Sequence, residues 1–156
     1  MTETLADRFQ AEQSRVITWD GLQVHSMYEV GPLSGGAELL VRFVSVGSGL
    51  PEQGIRLKVL QGHAVINDER LSDIVLWAAS APDVIRAEIE AAGRKPVTVR
   101  VWNCWRDSRG TIQAWIGNSG ILVESSSDGR VRLECSVGEG EVSFDDLVVD
   151  LSLSEH

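Results

Sequence analysis

Residues 85–91 read Ile85-Arg86-Ala87-Glu88-Ile89-Glu90-Ala91, apolar and charged side chains alternating without a break. The fold class turns on this stretch, because here a helix competes with a strand in the middle of the chain. Ser80-Ala81-Pro82-Asp83 before it resembles a helix start, a capping residue with an early proline, and Gly93 stands where a helix would end. A helix would use Val84, Ile85, Ile89 and Ala92 as its apolar stripe. Strict alternation instead places Ile85, Ala87, Ile89 and Ala91 on one face of a strand and the charges on the other. We take the strand, and the neighbouring sequence agrees with it on both sides.

Towards the C-terminus, Val97, Val99 and Val101 alternate with Thr98, Arg100 and Trp102. Ile112, Ala114 and Ile116 alternate with Gln113 and Trp115, and Val131, Leu133 and Cys135 alternate with charged residues. Leu147, Val149, Leu151 and Leu153 close the chain on one face. Turn signals separate these runs at 107–110, 117–120, 125–129 and 136–140. Towards the N-terminus, Asp20-Gly21 joins Val16–Trp19 to Leu22–Tyr28 as a hairpin. Glu38 to Val46 is nearly all apolar, which predicts burial on both faces.

Roughly ten strands with a turn about every 8–12 residues predict an all-β fold. We expect a single antiparallel β-sandwich of jelly-roll type over residues 15–154, with at most one or two short helices. Residues 1–14 are expected to be an N-terminal extension carrying a short helix, with Leu5 and Phe9 on its apolar side. Parity predicts a core containing Val97, Val99, Val101, Ile112, Ala114, Ile116, Val131, Leu133, Val149 and Leu151.

The 156 residues are 43% apolar and 24% charged, the composition of a folded chain, with a formal charge of −9. That charge repels phosphate backbones and anionic lipid, so neither nucleic acid nor membrane is an expected partner. The first residues lack the apolar core of a signal peptide, which predicts a cytoplasmic protein with Cys104 and Cys135 as reduced thiols.

Motifs for catalysis and cofactors are missing from the sequence, and neither a catalytic residue nor a cofactor is assigned. His25, His63 and His156 lie far apart, and the cysteines form no CxxC pair. Asp145-Asp146, with Asp150, Glu139 and Glu141 nearby, is the densest carboxylate group. Calcium binding is one reading and a solvated acidic edge the other; adjacent aspartates on a strand point to opposite faces, so no metal ligand is assigned. Phe144 to Leu153 resembles the Asp-Asp-hydrophobic strand that often closes sugar-binding jelly rolls, a stretch too short to identify a family.

Tryptophan placement is the most informative feature. Trp102, Trp105 and Trp115 fall on two runs joined by a short turn. With the turn centred on Ser108-Arg109, Trp102 and Trp115 pair on the more polar face, near Arg100 and Gln113. These four residues form the candidate ligand site, because aromatic rings with Arg and Gln suit a ligand platform or a protein hot spot. If another layer covers this face, the rings are core instead.

Three functions remain. The first is a non-catalytic binding protein, which in an acidic chain includes neutralising a protein partner. The second is a small-molecule or sugar-binding sandwich that uses the tryptophan face. The third is an enzyme whose site is assembled from distant residues.

Overall fold

A computed structural model describes residues 2–156 and contains one α-helix, fourteen strands and a single 3-10 turn, Ala78–Ser80. Helix α1 spans Leu5–Glu12; Thr4 caps it by accepting from the Asp7 amide, while the Asp7 carboxylate accepts from the Thr4 amide. The strands are β1 (Val16–Trp19), β2 (Leu22–His25), β3 (Tyr28–Leu33), β4 (Ala37–Val46), β5 (Gln53–Leu60), β6 (Gly62–Ile66) and β7 (Glu69–Leu71). They continue as β8 (Asp73–Trp77), β9 (Ile85–Ala91), β10 (Val97–Arg106), β11 (Ile112–Gln113), β12 (Gly120–Ser125), β13 (Arg130–Ser136) and β14 (Leu147–Glu155).

Two sheets pack face to face, and every strand pair is antiparallel. The larger has the order β1-β2-β12-β13-β14-β4-β9-β6-β7. The smaller runs β11-β10-β5-β8, with β3 on the same side of β10 as β11. Strands β3, β4 and β5 cross from sheet to sheet in turn. The resulting order β3-β10-β5-β8 opposite β4-β9-β6-β7 is the eight-strand interleaving of a jelly roll. The large sheet extends this frame beyond β4 with β14, β13, β12 and the β1–β2 hairpin.

Residues 85–91 form a strand, and Ile85, Ala87 and Ile89 are buried as alternation requires. The Asp20-Gly21 turn has positive φ at both positions, the type I′ geometry that matches the twist of a hairpin. The run from Gln53 to Ile66 divides at Gln61, where a φ of 67° turns the chain out of one sheet and into the other. A Cβ at the following Gly62 would lie 2.3 Å from the Glu90 carbonyl oxygen, so this corner requires glycine.

Most of the expected core lies between the sheets: Val97, Val99, Val101, Leu133, Val149 and Leu151 are buried. Val131 and Ala114 are half-buried and pack against that cluster. Ile112 and Ile116 do not belong to the core; they are 40% and 50% exposed. The run Thr111–Ile116 pairs with β10 only at Ile112 and Gln113, and the chain then leaves the sheet. Strand β4 is buried on one face only, since the outer face of the large sheet meets solvent.

The N-terminal segment, expected as an extension carrying a short helix, docks against the sandwich. Leu5 is fully buried with Ile17 and Val24 in a second cluster, flanked by Phe9, Trp19, Leu122, Val142 and Phe144. The Leu5 amide donates to Asn118 Oδ1 and the Ala6 amide to the Gly117 carbonyl.

Candidate binding face

Strand β10 decides which side chains share a face. Its register with β5 is unbroken from Thr98 to Trp105. Val97, Val99, Val101, Asn103 and Trp105 therefore point inward, and Thr98, Arg100, Trp102, Cys104 and Arg106 point outward. Register carries the outer face across the sheet: Trp102 lies beside Arg56 and Val75, Cys104 beside Gly54 and Trp77, and Arg100 beside Lys58 and Asp73. On the other side Glu29 lies beside Arg100 and Ile112 beside Arg106.

Trp102 and Trp115 do come together, with ring centroids 4.7 Å apart and planes tilted by 30°. The route differs from the expected hairpin. Trp105 pairs with Gln113 and Arg106 with Ile112, a register that would set Ile116, not Trp115, opposite Trp102. Trp115 instead adopts a φ of 60°, a conformation that bulky side chains rarely take, and the chain folds over the sheet. Its indole Nε1 donates to the Ser26 carbonyl at 2.9 Å. The face is closed over one ring and open at the other. Trp102 is covered, at 5% exposure, and Trp115 covers it while remaining 45% exposed.

Guanidinium groups fill the rest of the face. The Arg56 carbon lies 5.9 Å from the Trp102 ring centroid, and Arg106 lies 4.4 Å from that of Trp77. Each arginine is steered by a carboxylate: Arg56 donates to both Asp73 oxygens at 2.7 and 2.9 Å, and Arg106 lies 3.7 Å from Glu52. Arg100 Nε is buried, has no hydrogen-bond acceptor and lies 3.9 Å from Glu29, whose oxygen is already taken by Arg15 at 2.6 Å. The Arg56 hydrogen bonds hold the Asp73 carboxyl below its usual range and raise the Arg56 guanidinium.

The four expected site residues divide. Arg100, Trp102 and Trp115 belong to this face. Gln113 does not, because its register partner is the inward-facing Trp105; its amide donates to Asp107 Oδ2 at 3.0 Å and braces the turn. The sequence reading missed Trp77, Arg56 and Arg106, which reach the face from strands distant in sequence. Residues 55–60 alternate, which sets Arg56 opposite Ile55 and Leu57, but only strand order shows that it neighbours Trp102.

Other candidates are simpler. Burial pushes the Cys104 thiol up to about 11 and raises Cys135 as well, so both thiols are poor nucleophiles. Asp146 is a buried structural carboxyl that accepts from the Val137 amide at 3.0 Å. Among the described residues no group of three or more His, Cys, Asp or Glu is arranged to hold a metal ion, Asp145-Asp146 included. His63 Nε2 lies 2.6 Å from Glu90, but the two are ordinary cross-strand neighbours on the outer face of the large sheet. No helix among the described residues is long and apolar enough to cross a membrane. No protein-family model, curated protein or solved structure matches this chain.

Proposed function

We propose that the chain is a non-catalytic binding protein that engages a partner protein through the outer face of its smaller sheet. The observation carrying this reading is Trp115, held half-exposed in a left-handed backbone and flanked by the exposed side chains of Ile112 and Ile116. An aromatic anchor with aliphatic and arginine neighbours is the composition of protein-interface hot spots. The surroundings favour a large ligand, because the rings lie on a sheet face rather than in a deep pocket.

The charge of the face defines the partner further. Arg56, Lys58, Arg100 and Arg106 stand against Glu29, Glu52 and Asp73, a cationic balance within a chain of net charge −9. A partner with an apolar centre and an acidic rim suits this face; a basic partner would be neutralised elsewhere. Two unpaired, buried cysteines suit a reducing compartment such as the cytoplasm.

The test compares wild type with Trp115→Ala in affinity capture from the source organism. A protein retained by wild type and lost from the folded variant is then purified and its affinity for each measured. A glycan that binds wild type and not Trp115→Ala, with no such protein found, would replace this reading with the sugar-binding one.

A further inference from the structure

A strand at the end of a sheet carries backbone groups without a neighbour, and folded proteins normally blunt such edges. In β1 the Ser14 hydroxyl accepts from the Val16 amide and donates to the Val16 carbonyl, and Arg8 donates to the Thr18 carbonyl. Strand β3 carries Pro32, β7 has three residues, two of them charged, and β11 has two residues. Strand β8 differs. Asp73-Ile74-Val75-Leu76-Trp77 is apolar after its first residue and ends the small sheet without proline, lysine or bulge.

Register identifies the open groups. The Val59 amide donates to the Ser72 carbonyl at 2.8 Å, which makes Ile74 and Leu76 the β8 residues bonded to β5. Asp73, Val75 and Trp77 therefore direct their amides away from the sheet, as Asp73 and Val75 direct their carbonyls. A cleft of about 480 Å³ lies along this edge, between β8 and the apolar side chains of Ile66, Leu71 and Ile85. Open backbone groups beside apolar walls are what an added β-strand satisfies and a compact apolar ligand does not.

Charge narrows the occupant. Glu69 lies opposite the buried Ile66 in the β6–β7 hairpin, so its side chain is on the inner side, over the cleft. Among the described residues it has no cationic partner; Arg70 is on the other face, 3.9 Å from Glu90. Arg86, the other charge lining the cleft, lies 3.5 Å from Glu38. A basic side chain on the occupant would complete the site. The β8 of a second copy carries Asp73 and no cation, so charge selects against self-pairing.

We propose that β8 receives an extended segment of a partner protein as an added antiparallel strand, apolar at alternate positions and with a Lys or Arg among them facing Glu69. The proposal is independent of the Trp115 reading, because the β8 edge is unchanged in Trp115→Ala.

The probe is the heptapeptide acetyl-Thr-Val-Thr-Lys-Thr-Val-Thr-amide, titrated into isotope-labelled protein. Saturable amide shifts at Asp73, Val75 and Trp77, larger than those at Ile74 and Leu76, are expected. Replacing the peptide lysine by glutamate should weaken binding at least about threefold. N-methylation of the two threonines flanking lysine should abolish binding, and N-methylation of the valines should not. Opposed residues in an antiparallel pair share a face, so the threonine amides meet β8 and the valine amides point away. Val75→Pro removes one outward amide at a position where an edge strand tolerates proline, and should also abolish binding; if that variant does not fold, the N-methylated peptides decide. Trp115→Ala should bind as wild type does. Absent shifts, shifts centred elsewhere, equal binding of the lysine and glutamate peptides or of the two N-methylated ones, or loss of binding in Trp115→Ala would overturn the proposal. So would shifts of the same amides with protein concentration alone, since a second copy would then be the occupant.

Discussion

Trp115 and Trp102 touch each other, yet removing them should have different consequences. Trp102 is buried beneath its partner, so Trp102→Ala empties a packed site and should cost about 3–5 kcal/mol, read as a lowered unfolding midpoint. Trp115 loses one stacking contact and one hydrogen bond, so Trp115→Ala should cost only about 1–2.5 kcal/mol and leave a folded protein. Asp146 offers a second residue-level contrast. Burial raises its carboxyl above the usual range, so the folded state favours the protonated form. Its contribution is favourable at acid pH and is lost as pH rises through the folded value. Asp146→Asn keeps an oxygen for the Val137 amide and removes the disfavoured charge, so its midpoint at pH 7 should equal or exceed that of wild type. Asp146→Ala leaves that amide without its acceptor and should cost about 1–3 kcal/mol in urea unfolding.

At the level of elements, the sequence shows where strands run better than where they end. The Asp20-Gly21 hairpin and the 85–91 strand were legible because turn chemistry and alternation are local. Thr111–Ile116 misled because its alternation is real but short; stacking on Trp102 and the bond to Ser26 outweigh continued pairing with β10. The same non-local cause hid Trp77, Arg56 and Arg106, whose proximity depends on the order of β8, β5 and β10. Two cross-strand pairs make stability depend on pH. Arg132 donates to both Asp150 oxygens at 2.8 and 3.0 Å, as Arg56 does to Asp73, and each carboxyl is held below its ordinary range. Their contribution is complete above the unfolded carboxylate value, about pH 4, and is lost as pH falls through the lower folded values. The Asp150 side chain is 13% exposed and that of Asp73 38%, so solvent screens Asp73 more. Urea titrations from pH 7 to 2 should show Asp150→Asn flattening the acid limb more than Asp73→Asn.

Over the whole molecule, the jelly-roll frame leaves its two outer surfaces with different chemistry. The large sheet presents cross-strand ion pairs such as Arg132–Asp150 and Arg86–Glu38, a solvated face. The small sheet presents tryptophan and arginine. Helix α1 belongs to the cooperative unit despite lying outside the jelly-roll strand order, because Leu5 is sealed against Ile17 and Val24. Leu5→Ala should therefore lower the midpoint of a single transition by about 2–4 kcal/mol rather than release the helix separately, a distinction that calorimetry can make. The proposed binding surface is the Trp115 face. Its most direct test is the affinity of the purified partner for wild type and for Trp115→Ala, measured by calorimetry on folded protein. A loss of about 30-fold or more, the size of a hot-spot truncation, is the predicted result; equal affinities would contradict it.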